Sequence, residues 1–325
     1  MIVDGAHYVR GVRQHDGPLG IDEAAERAER GDGFVWLGLH DPTDAELRDL
    51  EQHFPLDELA LEDARVRHQR AKIEDYPGHI FFVVRTADYH DREGELDFGE
   101  IHAFIGENFA ITLRYGRASE LRSARKRLEA NAILLRAGPV SVMWAVLDKV
   151  VDDYEPVAAR LGADIEDVEF HVFSAPDDPT ERIYFLRREV IEFHRAVHPL
   201  LLPLGVIERG GDPRVQGEII EYFRDVYDHM QRVHEEIAAD RDLLTGALEA
   251  NLAVLSVSQN ETTKQLTIIA TIFLPLTFIT GFFGMNFAWL TNHTHPLWVF
   301  LVFGVGSLVI SCIALFIYFR RSGYA

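Results

Sequence analysis

Three consecutive residues, Gly284-Met285-Asn286, separate two uncharged apolar runs near the end of the chain. Mg²⁺ prefers oxygen ligands in octahedral geometry and gives up its water reluctantly. A ring of Asn286 side-chain carbonyls, gathered from several copies, could hydrogen-bond such an ion's water shell without stripping it. Gly284 would let several backbones approach closely, with Met285 packed behind the turn. The same triplet also reads as a tight membrane-exit turn in which Asn286 caps backbone groups. A stripe at helical spacing runs back from it through Gly281, Thr277, Leu274, Ala270, Leu266 and Thr263. Thr277 could offer a hydroxyl to a hydrated cation, and Leu274 and Leu266 could form an apolar constriction that gates by dewetting. Ordinary helix packing in membranes uses the same small residues. Asn260 and Glu249, further back, could face a pore axis and draw cations, or be solvated outer residues.

Two other groups carry metal-ligand chemistry. Asp148 and Asp152 are four apart, so a helix places both on one face, where they repel unless a cation sits between them. His293 and His295 lie in the short segment after Asn286, and imidazole suits Zn²⁺, Ni²⁺ and Co²⁺ better than Mg²⁺. That segment equally reads as a polar interfacial loop anchored by Trp289 and Trp298. Asn292-His293-Thr294 fits a glycosylation sequon, in a loop too close to two apolar runs for ready use. No phosphate-binding glycine loop, paired-cysteine metal motif or nucleophile elbow occurs in the sequence, so no enzyme chemistry is indicated.

The elements that must position these residues follow from hydropathy. Leu266–Phe283 has 18 residues without charge and Leu297–Phe319 has 23. A hydrocarbon core of about 30 Å needs about 20 helical residues, so both qualify as spans. Lys264 flanks the first and Arg320-Arg321 the second, with no Lys or Arg between. The positive-inside rule then puts both termini in the cytoplasm and the Gly-Met-Asn turn outside. The opening residues, MIVDGAHYVRGVRQHDG, hold no apolar leader, so insertion is expected from the C-terminal hairpin.

The chain has 325 residues and a net charge of −20, almost all of it before Lys264. That acidity disfavours nucleic acid as a partner and fits either a solvated acidic domain or one that attracts cations. Cys312, in the second span, is the single cysteine, so no intrachain disulfide is possible.

Residues 1 to about 115 read as mixed α/β. Phe34–Leu39, His79–Tyr89 and Glu100–Tyr115 are rich in Ile, Val, Phe and Thr and read as strands, the last a pair joined through Gly106-Glu107-Asn108. Thr43–Phe54 reads as a capped helix. From Ala118 the pattern is helical: Ser119–Arg136, Pro139–Phe173, and Thr180 to about His198, with Pro199 as a kink and Pro203 and Gly205 as its end. After Pro213 a single helix is expected to run about 70 residues into the first span. Ile219, Phe223, Val226, Met230, Val233 and Ile237 mark a heptad seam on it, resumed at Leu244, Leu248 and Leu255. Packing within one chain or a multi-subunit bundle would satisfy such a seam, and its continuation toward the membrane favours the bundle. Residues 1–210 are thus expected as a cytoplasmic α/β/α domain with a helical hairpin, 211–263 as a stalk helix, and 264–321 as a two-helix membrane domain.

Tyr222-Phe223-Arg224-Asp225-Val226-Tyr227-Asp228-His229, the stretch Leu266–Phe287 and the Gly-Met-Asn turn resemble the CorA family of divalent metal-ion (magnesium and cobalt) transporters. So do Leu61-Glu62-Asp63, Gln69–Glu74, Leu147-Asp148 and Val151–Tyr154. The resemblance implies a funnel-shaped homopentamer in the inner (plasma) membrane, with the long helices lining the pore and the second spans forming an outer ring. It implies Mg²⁺ uptake down the electrochemical gradient, with Co²⁺ or Ni²⁺ also carried, and a branch that moves Zn²⁺. It makes Gly284, Met285 and Asn286 the selectivity filter. It places regulatory Mg²⁺ between subunits at Glu62, Asp63, Asp148, Asp152 and Asp225, holding the pore shut while the ion is plentiful. Two departures stand out. Thr263 occupies the inner gate where the family often has Met, and the acidic Met-Pro-Glu-Leu-like loop that usually follows the motif is replaced by Phe287–Pro296 with its two histidines. Zn²⁺ transport, or a membrane-anchored scaffold that uses its acidic domain to bind partners, are the readings set against Mg²⁺ transport.

Overall fold

In the computed structural model, residues 2–14, 17, 19–67, 69–90, 94–116, 120–174, 178–285 and 297–321 are described. Asn286, His293 and His295 lie outside the described residues, as do most of the polar residues between the strands at 79–90 and 95–106. The chain divides into two units, Met1–Glu249 and Ala250–Ala325.

The first unit is built on seven strands: β1 (Ile2–Val9), β2 (Val12–Arg13), β3 (Phe34–His40), β4 (Lys72–Tyr76), β5 (His79–His90), β6 (Glu95–Gly106) and β7 (Phe109–Tyr115). Their order is β2-β1-β3-β7-β6-β5-β4. Only the β3–β7 pair is parallel; every other neighbour is antiparallel. Side chains alternate strictly between the two faces. Val35, Leu37, Leu39, Phe81, Val83, Phe104, Ile111 and Leu113 point to one face, where they are buried with residues from α1 (Ile21–Arg30), α2 (Asp44–His53) and α3 (Glu58–Arg65). Trp36, Phe82, Val84, Ile101, Ala103 and Ile105 are buried on the opposite face. There the cover comes from α4 (Arg122–Glu129), α5 (Ala132–Leu135), α6 (Val140–Ser174) and α7 (Thr180–Ile207), with α6 on β5, β6 and β7 and α7 on β4 and β5. A sheet apolar on both faces needs cover on both, and three layers result.

Local chemistry sets the helix ends. The Thr43 hydroxyl accepts from Glu46 N at 3.3 Å and Thr43 N donates back to Glu46 Oε2 at 2.9 Å, so α2 opens on a capping box. The single helix expected over Ser119–Arg136 is instead two, because Asn131 leaves the helical backbone and caps the next turn through Leu134 N at 3.3 Å. α7 does not stop at Pro203: it runs through Pro199 and Pro203 to Ile207.

Helix α8 spans Ile219–Phe283, 65 residues, and carries the heptad seam. Ile219, Phe223, Val226, Met230, Val233, Ile237, Leu244 and Ala247 are all buried within the one chain. They face α6 and α7, as the Trp144–Tyr222 ring contact at 5.3 Å and the approach of Tyr227 to Gly205 show. The seam up to Ala247 is therefore buried within the one chain, the first of the two arrangements that would satisfy it. Leu248 is half-buried and Leu255 exposed.

In the second unit, α8 continues to Phe283 and α9 covers Leu297–Arg321, including a π-helical segment at Phe300–Val305. Both are long and apolar enough to cross a membrane, and their large apolar side chains, such as Leu274, Phe278, Ile310 and Phe316, are exposed. Thr180–Ile207 also passes on length and composition. Ile183, Leu186, Val190, Phe193, Leu200 and Leu204 bury one face of it in the first unit, which makes it an amphipathic cover helix, with Tyr184, Ile191 and Leu202 exposed on the other.

Candidate cation-handling site

Asp148 and Asp152 sit one turn apart on α6, and the cation between them is a guanidinium. Arg127 of α4 reaches Asp148 Oδ2 at 3.2 Å and Asp152 Oδ2 at 3.0 Å. Asp148 is largely buried; desolvation, then the charge of Asp152, pushes its carboxyl up from 3.8 to about 6 against the pull of Arg127, with Asp225 adding to the rise. Asp225 joins the patch from the first turns of α8. His229, four residues on, lies 3.7 Å from Asp225 Oδ1 through Nε2 and 3.2 Å from Glu155 Oε1 through Nδ1. Three of the five expected acids are thus neighbours: Asp148, Asp152 and Asp225.

Glu62 and Asp63 stand apart from them, on the last turns of α3. Glu62 is exposed. Asp63 Oδ2 is 2.6 Å from Lys72 Nζ on β4, which also bonds Glu74 at 2.6 Å. Burial pulls the Lys72 ammonium down, but its two carboxylate partners outweigh that and hold it above its ordinary value. Within one chain, the two acid groups do not form a single site.

Three participants escaped the sequence reading: Arg127, Glu155 and His229. Glu155 had a signal, since 148, 152 and 155 are i, i+4 and i+7 on one helix face. Arg127 had none, because it comes from a separate helix. Carboxylates converging with a movable cation suit a hard divalent ion, which can replace the guanidinium and take oxygen ligands.

In the second unit, Thr263, Leu266, Ala270, Leu274, Thr277 and Gly281 recur along one face of α8 at steps of three and four, and each is exposed in the single chain. Glu249 and Asn260 are also exposed. The threonine hydroxyls differ. Those of Thr262, Thr263, Thr267, Thr271 and Thr280 each donate to the carbonyl one turn back, at 2.7–3.1 Å. Among the described residues, the Thr277 hydroxyl has no such partner and is free to bond outside the chain. At the helix end Gly284 N donates to Thr280 O at 2.9 Å, and a Cβ on Gly284 would stand 3.0 Å from that oxygen. A side chain there would crowd the last turn. Met285 follows, exposed.

Comparison with known proteins places this architecture among membrane transporters of divalent cations. The family described as "CorA-like Mg2+ transporter protein" matches residues 31–321. A cobalt/magnesium transport protein CorA of Thermotoga maritima is 31% identical over 241 residues, 74% of this chain and 69% of its own length. The putative metal ion transporter YfjQ of Bacillus subtilis is 28% identical over 304 residues, 92% of each chain. Among solved structures, the CorA magnesium transporter of Methanocaldococcus jannaschii superposes with a TM-score of 0.74 at 20% identity, covering 100% of both chains. The chain belongs to the CorA-like Mg²⁺ transporter family, whose members are ion transporters, not enzymes. The cytoplasmic domain of ZntB from Vibrio parahaemolyticus shares the fold, with a TM-score of 0.62 at 8% identity over 78% of this chain.

Proposed function

We propose that this protein is a channel-like Mg²⁺ uptake system, also open to Co²⁺, that works as a homopentamer in the inner membrane with both termini cytoplasmic. The reading rests on family membership over residues 31–321. The carrying observation is that one helix, Ile219–Phe283, bears Asp225 of the acid patch near its start and ends at Gly284-Met285. Asn286 then supplies the ring of carbonyls at the mouth. Thr277, nine residues earlier, supplies a hydroxyl ring, and Leu274 and Leu266 supply the apolar constriction. Glu249 and Asn260 attract ions at the inner end. The inside-negative potential drives cations inward.

Regulation follows from charge. Intracellular Mg²⁺ bound by Glu62 and Asp63 of one subunit, together with Asp148, Asp152 and Asp225 of its neighbour, holds the ring closed. As Mg²⁺ falls, carboxylate repulsion loosens the ring. This is a population shift driven by a ligand that prefers the closed state. A Zn²⁺-transport reading is supported by His293 and His295 and by the loop's lack of acids. Its likeness to ZntB is one of fold alone.

The test is flux into liposomes containing the purified protein, with Mg²⁺, Co²⁺, Ni²⁺ and Zn²⁺ offered separately. Mg²⁺ flux that disappears in Asn286→Ala is the expected result. Zn²⁺ flux without Mg²⁺ flux would replace the reading with zinc transport. No flux of any ion by folded protein would overturn transport through this filter.

A further inference from the structure

Away from the acid patch, three histidines meet between α7 and α8. His194 and His198 are four apart on α7, so they share one helix face. His234 reaches them from α8. The ring centroids lie 4.9 Å apart for His194–His198, 5.4 Å for His194–His234 and 5.2 Å for His198–His234. One ring nitrogen of each lies within 4.8 Å of the other two.

A cluster of aromatic rings could be nothing more than packing, but one of its atoms says otherwise. Nδ1 of His234 is buried and has no hydrogen-bond partner among the described residues. A buried polar nitrogen left in that state costs free energy that a bound ion or water would offset. The protonation state also fits. Burial lowers the basicity of His194 and His234, and His198 and then Arg241 lower both further, with His234 adding at His194 and Glu235 opposing at His234. Neutral imidazole is the ligating form.

Geometry and access agree with this. At Zn–N bonds of about 2.0–2.1 Å, tetrahedral ligands stand about 3.4 Å apart, so the rings need to close by about 1 Å around an ion. His194 and His198 line a cleft of about 620 Å³ together with Gln69, Glu192 and the arginines Arg70, Arg85 and Arg195, which leaves one side open to solvent for a fourth, preferably anionic, ligand. The nearby Glu192 is already held by Arg85 at 3.1 Å and Arg195 at 2.7 Å and is not offered as that ligand.

We propose that His194, His198 and His234 form a binding site for an imidazole-preferring divalent transition metal ion of the Zn²⁺, Co²⁺ and Ni²⁺ class. The site is distinct from the carboxylate patch, and its occupancy ties α7 to the long helix α8. Mg²⁺ does not compete for it, because Mg²⁺ selects oxygen ligands and three nitrogens offer it none. The proposal stands apart from the transport reading, since its test reads equilibrium binding and not flux.

The experiment is a Co²⁺ titration of the full-length, chelator-stripped protein in detergent, in a large excess of Mg²⁺ that fills the carboxylates. The readout is the visible ligand-field absorption of nitrogen-bound Co²⁺. One Co²⁺ per chain, retained under Mg²⁺, is the expected result. His198→Ala, at an exposed position that folding tolerates, should weaken binding by at least about 100-fold, since loss of a supporting residue alone can cost that much. His194→Gln should do the same, while a variant lacking His293 and His295 should bind as the parent does. The proposal fails if the parent protein binds no Co²⁺, if Mg²⁺ displaces the ion, if His198→Ala and His194→Gln both bind unchanged, or if only the loop variant loses the signal.

Discussion

Arg127 is the residue whose removal tests the acid patch most directly. It is a tethered cation seated where the proposed regulatory Mg²⁺ would have to bind, 3.2 Å from Asp148 and 3.0 Å from Asp152. Mg²⁺ must displace it, so Arg127→Gln should tighten Mg²⁺ binding and shift feedback to lower concentrations. The guanidinium is 49% exposed, so each pair counts as a partly screened surface pair. Such pairs contribute about 0.2–1 kcal/mol each, or about 0.5–2 kcal/mol for two. At about 1.4 kcal/mol per factor of ten, the intracellular Mg²⁺ that half-inhibits flux should fall about 2- to 30-fold.

Protons modify that result in a definite direction. Burial and Asp152 already push the Asp148 carboxyl up to about 6, and Arg127, ahead of His229, holds it down. Without Arg127 its carboxyl rises further, and protons then compete with Mg²⁺ near neutrality. The gain should therefore be largest at about pH 8 and shrink toward about pH 6. Arg127→Lys keeps the charge and should remain close to the parent. The assay is liposome flux at graded internal Mg²⁺, run at several pH values. An unchanged or higher half-inhibiting Mg²⁺ at pH 8, in folded protein, would refute the competition between guanidinium and ion. Loss of inhibition altogether would make Arg127 a strut of the closed state and refute it equally.

Two further outcomes are expected. Asp240 of α8 is 5% exposed, and its Oδ2 has no hydrogen-bond partner. Burial, then Glu236 and Glu166, raise its carboxyl from 3.8 to about 6, a shift worth about 3 kcal/mol at 1.36 kcal/mol per unit. Because the folded-state value lies above the unfolded one, the favourable contribution exists below about pH 4 and is lost as pH rises through about 6. Asp240→Asn should accordingly raise the thermal midpoint at pH 7.5 by the equivalent of about 1–3 kcal/mol and change little near pH 4, and a lower midpoint at pH 7.5 would contradict this. Thr277→Val keeps the shape of a side chain whose hydroxyl has no partner among the described residues, so helix content should not change. Losing one hydrogen bond of about 1 kcal/mol to the ion's water shell should lower Mg²⁺ flux at least about fivefold, and unchanged flux would take Thr277 off the pore.

Where one element's own residues decide its structure, the sequence was readable. β3, β5, β6 and β7 are apolar on both faces, and α2 carries its cap in Thr43 and Glu46. β4 was missed because Lys72–Tyr76 is a five-residue edge strand of mostly polar residues, made a strand by pairing with β5. α7 was cut short for a different reason. A proline inside a helix costs about 3 kcal/mol, which argues for a stop at Pro203. Leu200, Leu204 and Ile207 are 0–3% exposed, and burying side chains of this kind is worth about 1.5–3 kcal/mol each. Three such burials offset the prolines, and tertiary packing decides the helix end. The heptad seam was seen correctly, but a seam does not name its partner, and here α6 and α7 of the same chain fill that place.

The same limit governs the charged residues. A repelling pair such as Asp148 and Asp152 is visible as a spacing of four, and so is the pair His194 and His198. What compensates each pair is set by residues far along the chain: Arg127 in the first case, His234 in the second. Sequence therefore locates the demand for a cation, and only the fold shows whether the protein supplies one. At Asp148 it does, with the guanidinium of Arg127. At the three histidines Arg241 and Glu235 act through their charge, and a buried imidazole nitrogen has no hydrogen-bond partner among the described residues. The first arrangement suits a site that must empty and refill as Mg²⁺ varies, because Arg127 offsets part of the acid charge when no ion is bound. The second suits an ion that stays, because its departure leaves a buried nitrogen unsatisfied.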